Sequence, residues 1–376
     1  MMRVLMISSD AKIFEQGSPV RRRMIEYGSL FDELHIVVFT KKAHCSHGRT
    51  PVEILSDRVR AYQTCSYSRY FYCFDALRIA SRVITSKMGD SSITIITTQD
   101  PFETGVVGKV LAQKYTLPLN VQVHTDFLSG YFRKENVLNR VRVALARFVF
   151  ARAASVRVVS RRIKISLEKS GLLNKTCTVS VLPIFVDIQK IKDAPVGTNL
   201  KAMYPQFDHI VLMASRLTHE KDIHTALHAF IKVLAHYPRA GLVIVGDGPE
   251  RDFLSRFCEK KGIHSSVVYV PWMNRDDLYS LYKTADVFLL SSLYEGYGMT
   301  LVEAGVAGTA IVSTDVGVAS ELLSGGVVCP PRDAECLAHH VLVALKEPQN
   351  YRMTDSFALI NSREVYLQKY KESLLV

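Results

Sequence analysis

The sequence carries a single Trp and seven cysteines in 376 residues. None of the cysteines (Cys45, Cys65, Cys73, Cys177, Cys258, Cys329, Cys336) belongs to a C-x-x-C pair. An odd, sparse set argues against a zinc site or a disulfide framework and for a reduced, cytoplasmic protein. Long uninterrupted apolar runs are missing too. The most apolar long stretch, Val137 to Val159, contains Arg140, Arg142, Arg147, Arg152 and Arg157, which a helix in lipid would not bury. Near the start, Val4-Leu5-Met6-Ile7 stops at Ser8-Ser9-Asp10, too short for the apolar core of a secretion signal. No D-x-D string, internal repeat or low-complexity tract stands out. Acidic residues are scarce in one region: between Tyr131 and Lys175 only Glu135 and Glu168 oppose twelve Lys and Arg.

The chain is 48% apolar and 22% charged, which excludes global disorder and fibrous classes. Its length allows two or three domains. The net charge of +11 is unevenly held. Residues 1–190 carry 29 Lys and Arg against 15 Asp and Glu, net +14, whereas residues 191–376 carry 18 against 21, net −3. A basic half and a nearly neutral half imply two domains with different partners.

The hydrophobic pattern alternates short apolar runs with amphipathic stretches. A strand over Arg3–Ser8, a loop with Gly17, a helix over 20–30 and a strand over 34–39 form a βαβ unit. The rhythm continues with strands over 93–97, 119–124, 156–160 and 179–182, helices over 104–114 and 161–168, and a long basic helical region over 132–153. Residues 183–207, punctuated by Pro195, Gly197, Asn199 and Pro205, read as a linker. The alternation then restarts, with strands over 209–214, 241–245, 267–270, 287–290 and 310–313 separated by helical patterns. Continuous apolar strands separated by helices predict parallel sheets covered on both faces. The fold class is therefore α/β, with two Rossmann-like, doubly wound parallel-sheet domains in tandem. In such sheets ligands sit beyond the carboxyl ends of the strands, so strand-to-helix loops should carry function, and the cleft between domains is the expected active site.

Three such loops in the second half concentrate candidate chemistry. Arg216 and Lys221 bracket a turn after the 209–214 strand, where two cations suit a diphosphate; a solvated charged loop has the same composition. Gly246-Asp247-Gly248-Pro249 ends the next strand and departs from the G-x-G-x-x-G dinucleotide pattern, so its signal is mostly structural. Glu295-Gly296-Tyr297-Gly298-Met299-Thr300 leads into a helix with Glu303 in its first turn. The glycines let backbone amides approach a ligand. The two acids could share a pocket, a carboxylate gripping two vicinal hydroxyls, although Glu303 alone would equally suit the helix macrodipole.

Together these segments resemble the retaining glycosyltransferases of family 4, which have the GT-B fold. The carriers are "SRLTHEK", "VIVGDGPER", the Glu-x7-Glu string in "YEGYGMTLVEA", and "STDVGVASELL"; "VQVHTD", "VRVVS" and "VLPIFVD" fall in the family's order. The resemblance implies two Rossmann-like domains facing across a cleft: an acceptor-binding domain over 1–187, a donor-binding domain over 188–355, and a C-terminal helical segment over 356–376 packing back on the first. It implies catalytic roles for His124, Arg216, Lys221 and Glu295. It implies donor contacts from Gly17, Arg216, Lys221, Gly246, Met273, Glu295, Gly296, Tyr297, Gly298, Met299, Thr300 and Glu303, with Trp272 beside Met273 near the base. Arg216 and Lys221 would hold the diphosphate, Glu303 the ribose hydroxyls, and Glu295 and the backbone of Gly296 to Gly298 the sugar. His124 would face the donor sugar and leaving phosphate.

No metal or cofactor is implied, only a UDP- or GDP-linked sugar as co-substrate, and the missing D-x-D string agrees with two protein cations replacing a divalent ion. The sequence departs from the family at Ile184-Phe185, where Asn-Gly is frequent, at the single Gly17, and at Gly308-Thr309-Ala310, where Gly-x-Pro is common. The implied reaction moves a hexose-type sugar to a hydroxyl of a glycan, lipid-linked or other cell-envelope acceptor.

The basic half fits a lipid-linked acceptor. From Tyr62 to Lys87, Tyr67, Tyr70, Phe71, Tyr72 and Phe74 interleave with Arg69, Arg78 and Arg82. Such a surface suits peripheral attachment to an anionic membrane face, unless the aromatics are core and the arginines merely coat a solvated helix. No nucleic-acid motif accompanies the charge. Two other functions share the architecture: a sugar-nucleotide epimerase, which needs no acceptor, and a non-catalytic sugar-nucleotide binding protein.

Overall fold

A computed structural model describes residues 2–45, 52–86, 93–323, 327–357, 359–360 and 362–375. Lys87, the end of the aromatic and basic stretch, lies outside them, as do positions 358, 361 and 376 of the expected C-terminal segment. The chain divides into two compact units, Met1–Pro183 together with Glu364–Val376, and Ile184–Arg363.

In the first unit the strands are β1 (Arg3–Ser8), β2 (Glu33–Val38), β3 (Val52–Ser56), β4 (Val59–Gln63), β5 (Ile95–Thr98), β6 (Leu119–Val123), β7 (Ser155–Val158) and β8 (Thr178–Val181). They form one sheet in the order β3-β4-β2-β1-β5-β6-β7-β8, parallel except for the β3–β4 pair. The helices are α1 (Pro19–Gly28), α2 (Tyr72–Ser86), α3 (Glu103–Tyr115), α4 (Gly130–Glu135), α5 (Val137–Phe150) and α6 (Arg161–Ser170). The inner strands are buried on both faces, which is why they read as continuous apolar runs.

In the second unit α7 (Ile188–Asp193) and α8 (Leu200–Met203) precede a regular alternation. It comprises β9 (His209–Ala214), α9 (Ile223–His236), β10 (Ala240–Val245), α10 (Arg251–Lys260), β11 (Val267–Val270), α11 (Arg275–Thr284), β12 (Val287–Leu290), α12 (Met299–Val306), β13 (Ala310–Ser313), α13 (Ala319–Leu322) and α14 (Ala334–Lys346). The sheet is fully parallel, ordered β11-β10-β9-β12-β13, so the strand order reverses between β9 and β12. That reversal is the topological switch point at which doubly wound sheets bind ligands. The α/β class with two parallel-sheet domains is thus as the sequence predicts.

The last helix, α15 (Arg363–Leu374), packs in the first unit. Asn120 donates to the Ser373 carbonyl (2.9 Å), Gln122 to Tyr370 Oη (3.3 Å), and Arg157 to Tyr366 Oη (3.2 Å). The Arg157 guanidinium also donates to Gln122 and lies over the Tyr370 ring.

Four sequence expectations are corrected. The long basic helix over 132–153 breaks at Asn136, whose extended backbone and side-chain acceptor cap α5 at Asn139 N. The 183–207 linker contains α7 and α8, capped by Asp187 and Asn199, pieces too short for a periodic signal. The basic stretch is not all surface, because Arg157 is buried in the α15 contact. Finally, Cys45–Cys65 and Cys329–Cys336 are disulfides, which overturns the expectation of an unbridged chain. Their Cα separations of 5.8 and 5.7 Å suit a bridge, while sequence separations of 20 and 7 leave no C-x-x-C signature.

Candidate functional site

The loops after β9, β10, β12 and β13 are joined to one another at the carboxyl edge of the second sheet. Leu217 N donates to the Asp247 carbonyl (2.9 Å), and Glu250 N to the Leu217 carbonyl (3.0 Å), tying the first two loops. Ser291 Oγ donates to the Lys221 carbonyl (2.9 Å) and Leu293 N to the Glu220 carbonyl (2.8 Å), tying the first to the third. Val318 N donates to the Tyr297 carbonyl (3.0 Å), bringing in the fourth.

Two glycines are required by this packing. Gly246 has φ +139°, and a Cβ there would lie 1.9 Å from the Ser215 carbonyl oxygen, so only glycine lets the two loops meet. Gly298 caps α12 with φ +92°. Its left-handed backbone turns the chain into the helix, whose first-turn residues Met299 and Thr300 have amides without an intrahelical acceptor. Gly296 and Tyr297 are buried in the turn before it.

The charged residues are placed by these loops. Lys221 Nζ lies 2.5 Å from Glu295 Oε1, and both side chains are largely buried. Ser292 Oγ donates to the same carboxylate oxygen (2.8 Å). Arg216 is 66% exposed and reaches Glu220 Oε1 (3.0 Å), so the two cations of the loop engage different acids. Ser215 Oγ and Thr218 Oγ1 are buried and lack a hydrogen-bond partner among the described residues, leaving two spare hydroxyls in the same loop.

Glu303 is 3% exposed. It is the fifth residue of α12, not a first-turn residue, because the helix starts at Met299. Tyr282 Oη donates to its Oε2 at 3.4 Å, and Arg275 Nε lies 3.7 Å from Oε1. Burial pushes its carboxyl pKa up, and Arg275 and the Tyr282 hydrogen bond offset part of that rise. A carboxylate held away from water beyond the first helical turn is more than a macrodipole partner.

Met273 is half-buried after β11, whereas the neighbouring Trp272 is 70% exposed and so is no packing residue of the unit. His124 and Gly17 belong to the first unit, His124 just after β6 and Gly17 in the exposed loop before α1. The surrounding protein, then Arg157 and Arg23, lower the His124 pKa, favouring the neutral imidazole. The residue is nonetheless exposed to solvent. The second unit thus joins the loops that carry Arg216, Lys221, Gly246 and residues 295–298, the last of which leads into α12 and Glu303. The partners that position them, Ser292, Tyr282 and Arg275, were not legible as site residues. Ser292 sits three positions from Glu295, but Tyr282 and Arg275 lie on a different helix from Glu303 and carry no motif.

In the first unit, Tyr67, Tyr70, Phe71 and Phe74 are exposed, as are Val137, Leu138, Val141 and Phe148 on α5. Arg69, Arg78, Arg140 and Arg147 are exposed among them. The aromatics of this stretch are therefore surface groups, apart from Tyr72, which stacks on Phe39. Among the described residues no helix is long and apolar enough to cross a membrane.

Residues 204–358 match the family described as Glycosyl transferases group 1. An uncharacterised glycosyltransferase of Methanocaldococcus jannaschii is 35% identical over 134 residues, which is 35% of this chain; the chain spans about a third (34%) of that relative's length. The alpha-monoglucosyldiacylglycerol synthase of Acholeplasma laidlawii is 23% identical over 253 residues, 60% of each protein. Among solved structures, HepE of Anabaena in complex with UDP and glucose superposes with a TM-score of 0.71 at 21% identity, covering 100% of this chain and 99% of that one. The fold is GT-B.

Proposed function

We propose that the chain is a retaining, metal-independent glycosyltransferase of family 4. It would move a hexose-type sugar from a UDP- or GDP-sugar to a hydroxyl of a glycan, lipid-linked or other cell-envelope acceptor. The observation that carries this reading is the Lys221–Glu295 pair, which joins the loops after β9 and β12 at the switch point of the second sheet, with Arg216 in the first of these loops and buried Glu303 on the helix that follows the second. The match of residues 204–358 to the group 1 glycosyl transferases spans the same loops.

The roles follow from the chemistry of the groups. Glu303 accepts two hydrogen bonds from the ribose hydroxyls. Lys221 has three N–H donors, one of them on Glu295, and with Arg216 and the first amides of α12 it faces the diphosphate. These groups act most strongly as the sugar–phosphate bond breaks and charge gathers on the leaving oxygen. In a front-face substitution the acceptor oxygen bonds to the anomeric carbon on the side the phosphate leaves. The acceptor proton passes to the departing phosphate oxygen, and configuration is retained. Glu295, already engaged by Lys221 and Ser292, orients the sugar hydroxyls in this scheme and is no nucleophile. A sugar adduct trapped on Glu295, or on Asp126 two positions after His124, would overturn it. The roles of His124 and Gly17 stay as the resemblance implies them.

On the acceptor side, exposed aromatics among exposed arginines support attachment to an anionic membrane surface. The Acholeplasma relative is by name the synthase of a glucosylated diacylglycerol, which supports a lipid-linked acceptor. The Anabaena structure holds UDP and glucose, which supports a UDP-sugar.

The test is a transfer assay with UDP- and GDP-hexoses over lipid-linked and glycan acceptors, with the product anomer read by NMR. An α-linked product from an α-linked donor supports the reading. An inverted product contradicts retention, epimer formation from donor alone identifies an epimerase, and tight binding without turnover identifies a binding protein.

A further inference from the structure

Outside the donor loops, three soft ligand groups meet at the far edge of the second unit. Cys336 and His340 stand one turn apart on α14, so their side chains leave the same face of the helix. Cys329 comes from the segment bridged to Thr314 after β13, and it is fully buried. The three ligand atoms lie within 4.8 Å of one another. His340 is held from behind: its Nδ1 is 2.7 Å from Tyr351 Oη. In the tautomer whose Nδ1–H donates to Tyr351, Nε2 carries the free lone pair, the outer-shell arrangement that metal-bound histidines usually have.

We propose that Cys329, Cys336 and His340 form a zinc site whenever the Cys329–Cys336 disulfide is reduced. Two thiolates and one imidazole suit a thiophilic, tetrahedral divalent ion, with a water in the fourth position. Reduction by a phosphine is balanced: the phosphine takes oxygen from water to become its oxide, and each sulfur becomes a thiol. Zinc then displaces the two thiol protons. The same sulfurs therefore cross-link α14 to the strand edge in either state, by a disulfide or through the metal. The cross-link bears on the donor loops, because the Cys329 carbonyl accepts from Asp315 N (2.7 Å) and Val318 of that loop bonds to Tyr297.

The experiment uses the full chain, reduced with a phosphine and freed of metal under argon, then titrated with cobalt and with zinc against a chromophoric chelator. One cobalt per chain with a thiolate-to-cobalt charge-transfer band, displaced by zinc, is expected. Cys336→Ser and His340→Ala should each weaken zinc binding at least ~10-fold, and Tyr351→Phe by about 10-fold. The Cys45→Ser/Cys65→Ser double variant should bind as the parent does. Absence of the band in the reduced parent overturns the proposal. So does binding that persists in both Cys336→Ser and His340→Ala. These two positions are only partly buried, so the test does not depend on replacing buried Cys329.

Discussion

Lys221 Nζ and Glu295 Oε1, 74 positions apart in the chain, sit 2.5 Å from each other and join the loop after β9 to the loop after β12. The pair places a cation and a carboxylate on either side of the sheet's switch point, next to the start of α12. Both side chains are largely buried, so each depends on the other for its charge to be tolerated there.

Replacing Lys221 by Ala should remove a charge contact worth about 3–4 kcal/mol in the transition state, lowering kcat by roughly 10²–10³ at saturating donor. Lys221→Ala/Glu295→Gln should restore stability lost by stranding Glu295, but not turnover. Near-normal rates in Lys221→Ala would remove this residue from the mechanism.

Glu303 sets a pH dependence. Burial holds its folded pKa above its ordinary value, so the fold favours the protonated form. That contribution is fully present below the unfolded pKa and is lost as pH rises through the folded one. Glu303→Gln, a neutral isostere, should therefore gain stability relative to the parent as pH rises from 4 to 7, measured by urea unfolding. Donor affinity should move the other way, since the ionised carboxylate is the better acceptor. A parent-minus-variant difference that is flat with pH would refute the buried-carboxylate account.

Gly246→Ala should destabilise the second unit by at least ~2 kcal/mol. The new Cβ meets the Ser215 carbonyl at 1.9 Å, and the backbone is in a region that L-residues avoid. Chemical denaturation measures it; a change below about 0.5 kcal/mol would mean that the loops relax freely.

Exposed Arg140 and Arg147 on α5 should each contribute about 1 kcal/mol to binding anionic vesicles. Their joint replacement by Gln should weaken co-sedimentation roughly 30-fold at low salt. Binding that is absent in the parent, or insensitive to salt, would end the membrane proposal.

The second unit was the more legible half. Strands β9, β11, β12 and β13 begin and end where the short apolar runs do, because parallel strands covered by helices are written as nearly continuous apolar residues. The hairpin β3–β4 carries no strong sequence signal, since no residue of its first strand is buried. Asn136 interrupts the long basic helix by a cap, a local hydrogen bond that apolar spacing does not register.

At the site, the residues that contribute charge were visible because their types and spacing follow strand ends. Their positioning partners were not. Tyr282 and Arg275 approach Glu303 only because α11 packs beside α12, and the Cys329–Cys336 bridge forms only because α14 lies against the β13 edge. Such contacts are set by tertiary packing, and a single sequence does not encode them as a pattern.

The central claim is that the switch point of the second sheet binds a nucleotide-sugar diphosphate, and thermal unfolding with UDP- and GDP-sugars tests it most directly. At a hundred times its dissociation constant the right donor should stabilise the parent by about 2.7 kcal/mol. That gain should be largely lost in Lys221→Ala and Glu303→Ala. No stabilisation by any nucleotide sugar, or equal stabilisation of the parent and both variants, would contradict the account.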